Sequence, residues 1–145
     1  MAATAAVVLR RRFVVVEVDG ISMRPTYEPG DRVLVRRCGA DRVRRGQVVV
    51  IRAPDSDVGW SRLPPLDGDV TGGRWYIKRA AAVAGDPIPA AVAHAVGSPS
   101  SAVPEGRLVV LGDNVRSDDS RRWGYLPGEL VLGVAVRRMG PRSAR

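Results

Sequence analysis

Ser22 and Lys78 are the residues whose types best fit a catalytic pair. Ser22 sits in Gly20-Ile21-Ser22-Met23-Arg24-Pro25-Thr26, followed by Pro29-Gly30-Asp31, a turn-rich stretch between two apolar runs. A serine hydroxyl is a poor nucleophile until a neighbouring base takes its proton. The usual base is histidine, and the one histidine, His94, lies among small residues and prolines in Ala91-Val92-Ala93-His94-Ala95, the setting of an ordinary loop residue. Lys78 is the better partner. It is the single lysine in a chain with 22 arginines. Arginine stays protonated at any biological pH, whereas a buried lysine can lose its proton and act as a base. For that its pKa must fall from about 10.4 to near 7, roughly 3 units at about 1.36 kcal/mol each, which burial in an apolar pocket can achieve. Trp75, Tyr76, Ile77 and the run Ala80 to Ala84 are placed to supply that pocket.

A further segment concentrates polar groups: Gly112-Asp113-Asn114-Val115-Arg116-Ser117-Asp118-Asp119-Ser120-Arg121-Arg122-Trp123-Gly124. Hydroxyl, carboxylate and guanidinium groups at this density tie down a loop through side-chain to backbone bonds and Asp–Arg pairs.

Short strands must position these residues. Phe13 to Val18, Arg32 to Arg37, Gln47 to Arg52, Arg74 to Val83, Arg107 to Leu111 and Val131 to Arg138 are valine-rich, bounded by Gly, Pro and Asp, and too short for typical helices. The expected fold is mainly β, an antiparallel barrel or folded sheet, with irregular excursions over Pro54 to Gly73 and Asp86 to Gly106. The second excursion reads as an extended hairpin or an ordered loop. At 145 residues the chain makes one ordinary domain, expected over residues 13–139, with tails at 1–12 and 140–145.

Composition narrows the chemistry. One Cys and one His cannot build a structural zinc site, and Cys38 has no intrachain disulfide partner, so neither a metal nor another cofactor is expected. Cys38 reads as a strand-end residue rather than a reactive thiol. The apolar residues before Arg10-Arg11-Arg12 reverse the order of a secretory signal and fall short of the roughly 20 needed to span a bilayer. A cytoplasmic protein is therefore expected, with at most peripheral contact with an anionic membrane. Loops near Trp60 and Trp123 are the places where apolar side chains could enter its interface. The net charge of +8 comes from scattered arginine pairs such as Arg36-Arg37 and Arg44-Arg45. No helix-turn-helix pattern or aromatic interleaving accompanies them, so nucleic acid is not an expected partner.

Taken together, the segments around Ser22, Lys78 and Gly112 resemble the type I signal peptidase family, from about Val14 to Val136 and in the family's order. The matching boxes are Ser22 to Thr26 with Gly30-Asp31, then Lys78-Arg79 with Gly85-Asp86, then Gly112-Asp113-Asn114 and Asp119-Ser120-Arg121. The resemblance implies a serine endopeptidase in which Ser22 attacks the scissile carbonyl, Lys78 takes and returns the proton, and Ser117 orients Lys78. Asp119 and Arg121 resemble the family's supporting ion pair. The Ser22 N–H would hold the oxyanion, since Gly20 occupies the position where some members place a hydroxyl donor. The substrate would be a precursor protein or leader peptide, added as a strand beside the site with small residues in the two pockets before the cut.

This chain also departs from the pattern. Asn114 to Ser117 is one residue shorter than usual, which leaves Ser120 as the alternative orienting residue. Ala82 and Ala84 stand where many members have Gly and Pro. The missing anchor before Ser22 resembles small soluble relatives, including the nickel superoxide dismutase maturation proteases. The substrate class stays open among a secretory preprotein, a metalloenzyme propeptide and the leader of a peptide natural product. Two other readings compete with a processing peptidase. One is a LexA-type self-cleaving regulator, which shares a Ser/Lys dyad but would need a DNA-binding segment. The other is a non-catalytic basic β-barrel that binds nucleic acid or a membrane surface.

Overall fold

The computed structural model describes residues 11–66, 74–96 and 102–141. The tails expected at 1–12 and 140–145 lie mostly outside these residues, as do 67–73 at the end of the first excursion and 97–101 within the second.

The strands are β1 (Phe13–Glu17), β2 (Asp31–Arg37), β3 (Val48–Arg52), β4 (Trp75–Ala82), β5 (Arg107–Leu111), β6 (Leu126–Pro127) and β7 (Val131–Pro141). They form one antiparallel sheet in the order β1-β2-β7-β3-β4-β5-β6. Each expected strand is present to within one or two residues at its ends, except β7, which continues to Pro141 opposite Asp31. The two-residue β6 and the one-turn helix α1 (Ser120–Trp123) were not expected, being too short to show a period. Among the described residues no helix is long and apolar enough to cross a membrane.

The central strand explains how the sheet folds over. Val48, Val49, Val50 and Ile51 of β3 are all buried, so both faces of this strand are covered. Because side chains alternate along a strand, Val48 and Val50 join Val16, Val33, Val35, Met23 and Ile77 in one core. Val49 and Ile51 point the other way, into a second core with Trp60, Leu108, Val110, Leu126 and Leu130. A curled sheet satisfies both demands. The second excursion is pinned at its base by two backbone bonds, Gly85 N to Val103 O at 2.9 Å and Val103 N to Asp86 O at 2.8 Å, and by burial of Val92 and Val103 against Ala82 and Val109. Its base is thus hairpin-like.

Both tryptophans pack against the second core. Trp60 is buried in the second core, with its indole N–H donating to Arg52 O at 3.0 Å, and Trp123 is partly buried against the same core. The two indoles themselves supply core area that a valine-rich sheet otherwise lacks.

Gly133 marks the tightest strand crossing. It pairs with Arg37 of β2 and Val50 of β3, where a Cβ would overlap Arg36 O and approach Arg37 Cα to 2.9 Å. Gly133→Ala is therefore expected to lower stability by about 1–3 kcal/mol through overpacking. Urea unfolding checks this, and an unchanged midpoint would show that β2 and β7 separate without cost.

Candidate active site

Ser22 is held from both sides of the β1–β2 connection. Met23, only 1% exposed, plugs the first core and draws its neighbour onto the sheet. Two bonds within the turn, Arg24 N to Ile21 O at 3.1 Å and Tyr27 N to Met23 O at 2.9 Å, fix its path. From the loop after β5, Asn114 donates through its backbone N to Ser22 O at 2.9 Å and through Nδ2 to Ile21 O at 3.1 Å. The Ser22 N–H and hydroxyl have no partner among the described residues. Gly20, at φ +78° and with open space where a Cβ would stand, lines the same hollow.

Lys78 is 2% exposed, and the alternation of β4 brings it to the face that carries Tyr76. Its Nζ lies 4.9 Å from the Tyr76 ring centroid and donates to Ser117 Oγ at 2.9 Å. Ser22, Lys78 and Ser117 line one cavity of about 270 Å3, walled also by Tyr76 and Arg116. The hydrogen bond of Lys78 goes to Ser117, leaving the Ser22 hydroxyl free. Burial lowers the Lys78 pKa to about 8. Asp119 and Asp118 oppose that fall and Arg121 assists it, so burial prevails over the nearby carboxylates.

Behind Ser117 stands a buried carboxylate. Asp119 is fully buried and accepts from Gly112 N at 2.8 Å, Arg121 N at 3.0 Å, Arg121 Nε at 3.0 Å and the Arg121 guanidinium terminus at 2.7 Å. Burial by itself would raise the Asp119 pKa; hydrogen bonds from Arg121, the Gly112 N–H and Ser117 more than offset it and hold the group below the usual carboxylate range. Asp119 also caps helix α1 through the bond from Arg121 N, which explains why the chain turns helical there. A hydroxyl has one proton to give. The Ser117 oxygen accepts from Lys78, which leaves that proton for another acceptor on the side of Asp119.

Gly112 makes this closeness possible. A Cβ there would overlap the Ser117 side chain and come to 2.6 Å from Ser22 O. Asp113 is gripped by Arg79 through two bonds, 2.8 and 2.7 Å, and by the Thr26 hydroxyl at 2.5 Å. It ties the turn after Ser22 to the strand that carries Lys78. Ser120, the alternative orienting residue, is buried with its Oγ accepting from Val110 N at 2.9 Å, which fastens α1 to β5 and directs it away from Lys78. His94 is exposed and takes no part in lining the cavity. Cys38 is partly buried on the far segment, where burial pushes its thiol pKa up and disfavours a thiolate. Among the described residues no group of three His, Cys, Asp or Glu side chains could hold a metal ion. Of the residues expected to wall the lysine pocket, Tyr76 and Ile77 line the cavity while Trp75 and the run Ala80 to Ala84 do not, and Arg74 was not foreseen there; the i, i+2 spacing of Tyr76 and Lys78 was the available signal.

Comparison with known proteins agrees with this geometry. The family model described as signal peptidase, peptidase S26, matches residues 1–96 and 90–139. The chain is 30% identical to "Probable signal peptidase I-1" of Synechocystis sp., over 91% of this chain and 75% of that protein. It is 28% identical to "Signal peptidase I V" of Bacillus subtilis, over 84% and 83%. It is 32% identical to "Mitochondrial ATP-independent inner membrane protease subunit 1a" of Arabidopsis thaliana, over 86% and 68%.

The buried amine has a consequence for stability. Its folded pKa of about 8 lies below the ordinary value, so between about pH 8 and 10.4 the unfolded chain holds a proton that the folded chain lacks, and this group's contribution to stability rises with pH. Below pH 8 the cost of burying the charge is felt in full. Lys78→Met is expected to be more stable than the parent by about 3 kcal/mol at pH 7, the difference shrinking towards pH 10. Paired urea titrations at pH 7 and 9.5 check this, and a difference that does not change with pH would refute a buried, depressed lysine.

Proposed function

Because this chain belongs to the signal peptidase family, peptidase S26, and is a serine endopeptidase that removes signal peptides from precursors, we propose that Ser22 is its nucleophile and Lys78 its base. The observation that carries these roles is a nearly fully buried lysine sharing one cavity with an unpartnered serine.

The neutral Lys78 amine takes the Ser22 proton as Oγ attacks the scissile carbonyl, and the ammonium then gives that proton to the departing amine. Water releases the acyl group from Ser22 with Lys78 again as base. The unpartnered Ser22 N–H is available to the oxyanion. Ser117 is a positioning residue, accepting from Lys78 while its own proton goes to Asp119, and Arg121 keeps Asp119 ionised. Gly112, Asp113 and Asn114 hold the Ser22 turn against β4. Ser120 belongs to the support of this loop rather than to the orientation of Lys78.

An extended precursor segment fits the sheet edges that are unpaired among the described residues. β1 is the terminal strand, and Trp75–Lys78 of β4 pair with β3 on one side while β5 pairs only with Arg79–Ala82. Both edges can take backbone bonds from a substrate strand. A secretory preprotein, a metalloenzyme propeptide and a natural-product leader all satisfy this requirement.

The proposal also places the protein in the cytoplasm, with peripheral contact to an anionic membrane and no nucleic-acid partner. What supports the contact is charge: Arg36, Arg42 and Arg44 line a hollow with one carboxylate, Asp41. The single domain is taken as 13–139, with tails at 1–12 and 140–145, β7 carrying its pairing two residues further, to Pro141.

Ser22→Ala and Lys78→Arg are each expected to lower kcat/KM at least ~1000-fold, with circular dichroism unchanged, because arginine keeps the charge but cannot release its proton. The rate of the parent should rise with pH through about 8, since the free amine is the active form. A fully active Lys78→Arg protein, or a rate that instead follows His94, would overturn these roles.

A further inference from the structure

The cleft extends beyond Ser22 and Lys78. A hollow of about 440 Å3 runs along β1, with Val14, Val16, Glu17 and Asp19 among the residues of one wall and Arg74 and Tyr76 on the other. It shares Asp19, Arg74 and Tyr76 with the cavity that holds Ser22 and Lys78, so the two are successive compartments of one groove. The edges of β1 and of Trp75–Lys78 that no strand pairs among the described residues flank this groove, and these edges, together with the compartment itself, mark where a peptide runs.

The wall along β1 reverses the charge of the surrounding surface. The chain carries a net +8, yet the acidic residues that line this hollow, Glu17 and Asp19, are both exposed and outnumber its one arginine, Arg74. Neither carboxylate forms an ion pair among the described residues, although Arg32 stands opposite Glu17 in the β1–β2 ladder. Tyr76 and the partly buried Trp75 supply apolar surface beside them, suited to the methylenes of a long side chain.

We propose that this compartment receives a lysine or arginine side chain of the precursor, a few residues from the bond cut, with its charge held by Glu17 and Asp19. This rests on the processing-peptidase reading and deepens it: the precursor carries a basic residue at a fixed distance from the cut. A basic segment is repelled by most of the enzyme's surface, so this local reversal of sign also fixes the register in which the peptide lies. An acidic side chain at that position would face two carboxylates and be disfavoured.

The test uses short synthetic peptides of small neutral residues, with lysine or glutamate placed singly at each position. Binding is measured by fluorescence anisotropy on the uncleaving Ser22→Ala protein, and cleavage by mass spectrometry on the parent. At one position lysine is expected to bind about fivefold more tightly than glutamate, the size of effect that exposed charge pairs give, and to lose this advantage in high salt. Adding Glu17→Gln and Asp19→Asn, both at exposed positions, should abolish the preference. Absence of any lysine-preferring position, or a preference that survives the double change, would overturn the inference. If the lysine preference stands but the parent cuts none of the peptides, the peptidase roles of Ser22 and Lys78 fail while the assignment of the groove holds.

Discussion

The arrangement around the site depends on keeping one amine out of water. Among the described residues Lys78 is one of the largest fully buried side chains, and the one side-chain hydrogen bond it makes there is to Ser117. Burying a charged group without compensation is expensive, and a lysine can escape that cost by giving up its proton. The surroundings set how far it goes. Asp119 and Asp118 favour the charged form, but Asp119 is engaged by Arg121 and by backbone donors, so its pull on Lys78 is blunted. The result is a pKa of about 8, near enough to neutrality for the amine to act as a base and to carry a proton between steps.

The same constraint explains the loop after β5. Gly112 must lack a side chain so that Ser117 and the Ser22 turn can meet above it. Asp119 must be buried to receive Ser117, and a buried carboxylate must be supplied with donors, hence the bonds from Gly112 N and from Arg121. Asp113 performs a different task, joining Thr26 to Arg79 across the gap between the β1–β2 turn and β4. Two ion pairs of the same loop therefore serve different ends: one orients the site from behind, and the other closes it from the side.

Much of this was legible in the residues. The valine runs marked the strands because each alternates, or in β3 fails to alternate, according to how many faces it buries. Lys78 stood out because arginine replaces it wherever charge suffices, and Ser22 because it lies in a turn next to a methionine that anchors it. The choice between Ser117 and Ser120 was not legible. Spacing places both near Asp119, and only the one-turn helix begun by the Asp119 cap directs Ser120 to Val110 and leaves Ser117 beside Lys78. Trp60 and Trp123 were equally opaque, since an indole between prolines and glycines reads as a loop residue until the curl of the sheet brings the core to it. The groove along β1 was also invisible, because the order β1-β2-β7-β3-β4 separates β1 from β4 in the ladder and curvature alone draws Glu17 and Asp19 to face Arg74.

Because the chain contains a single lysine, the protonation of its amine can be followed without assignment by labelling lysine with 13C at Cε and recording its chemical shift against pH. A midpoint near 8 in the folded protein is expected, returning to about 10.4 on unfolding in urea. A folded-state midpoint that stays near 10.4 would mean that Lys78 remains charged at neutral pH and is not the base that activates Ser22.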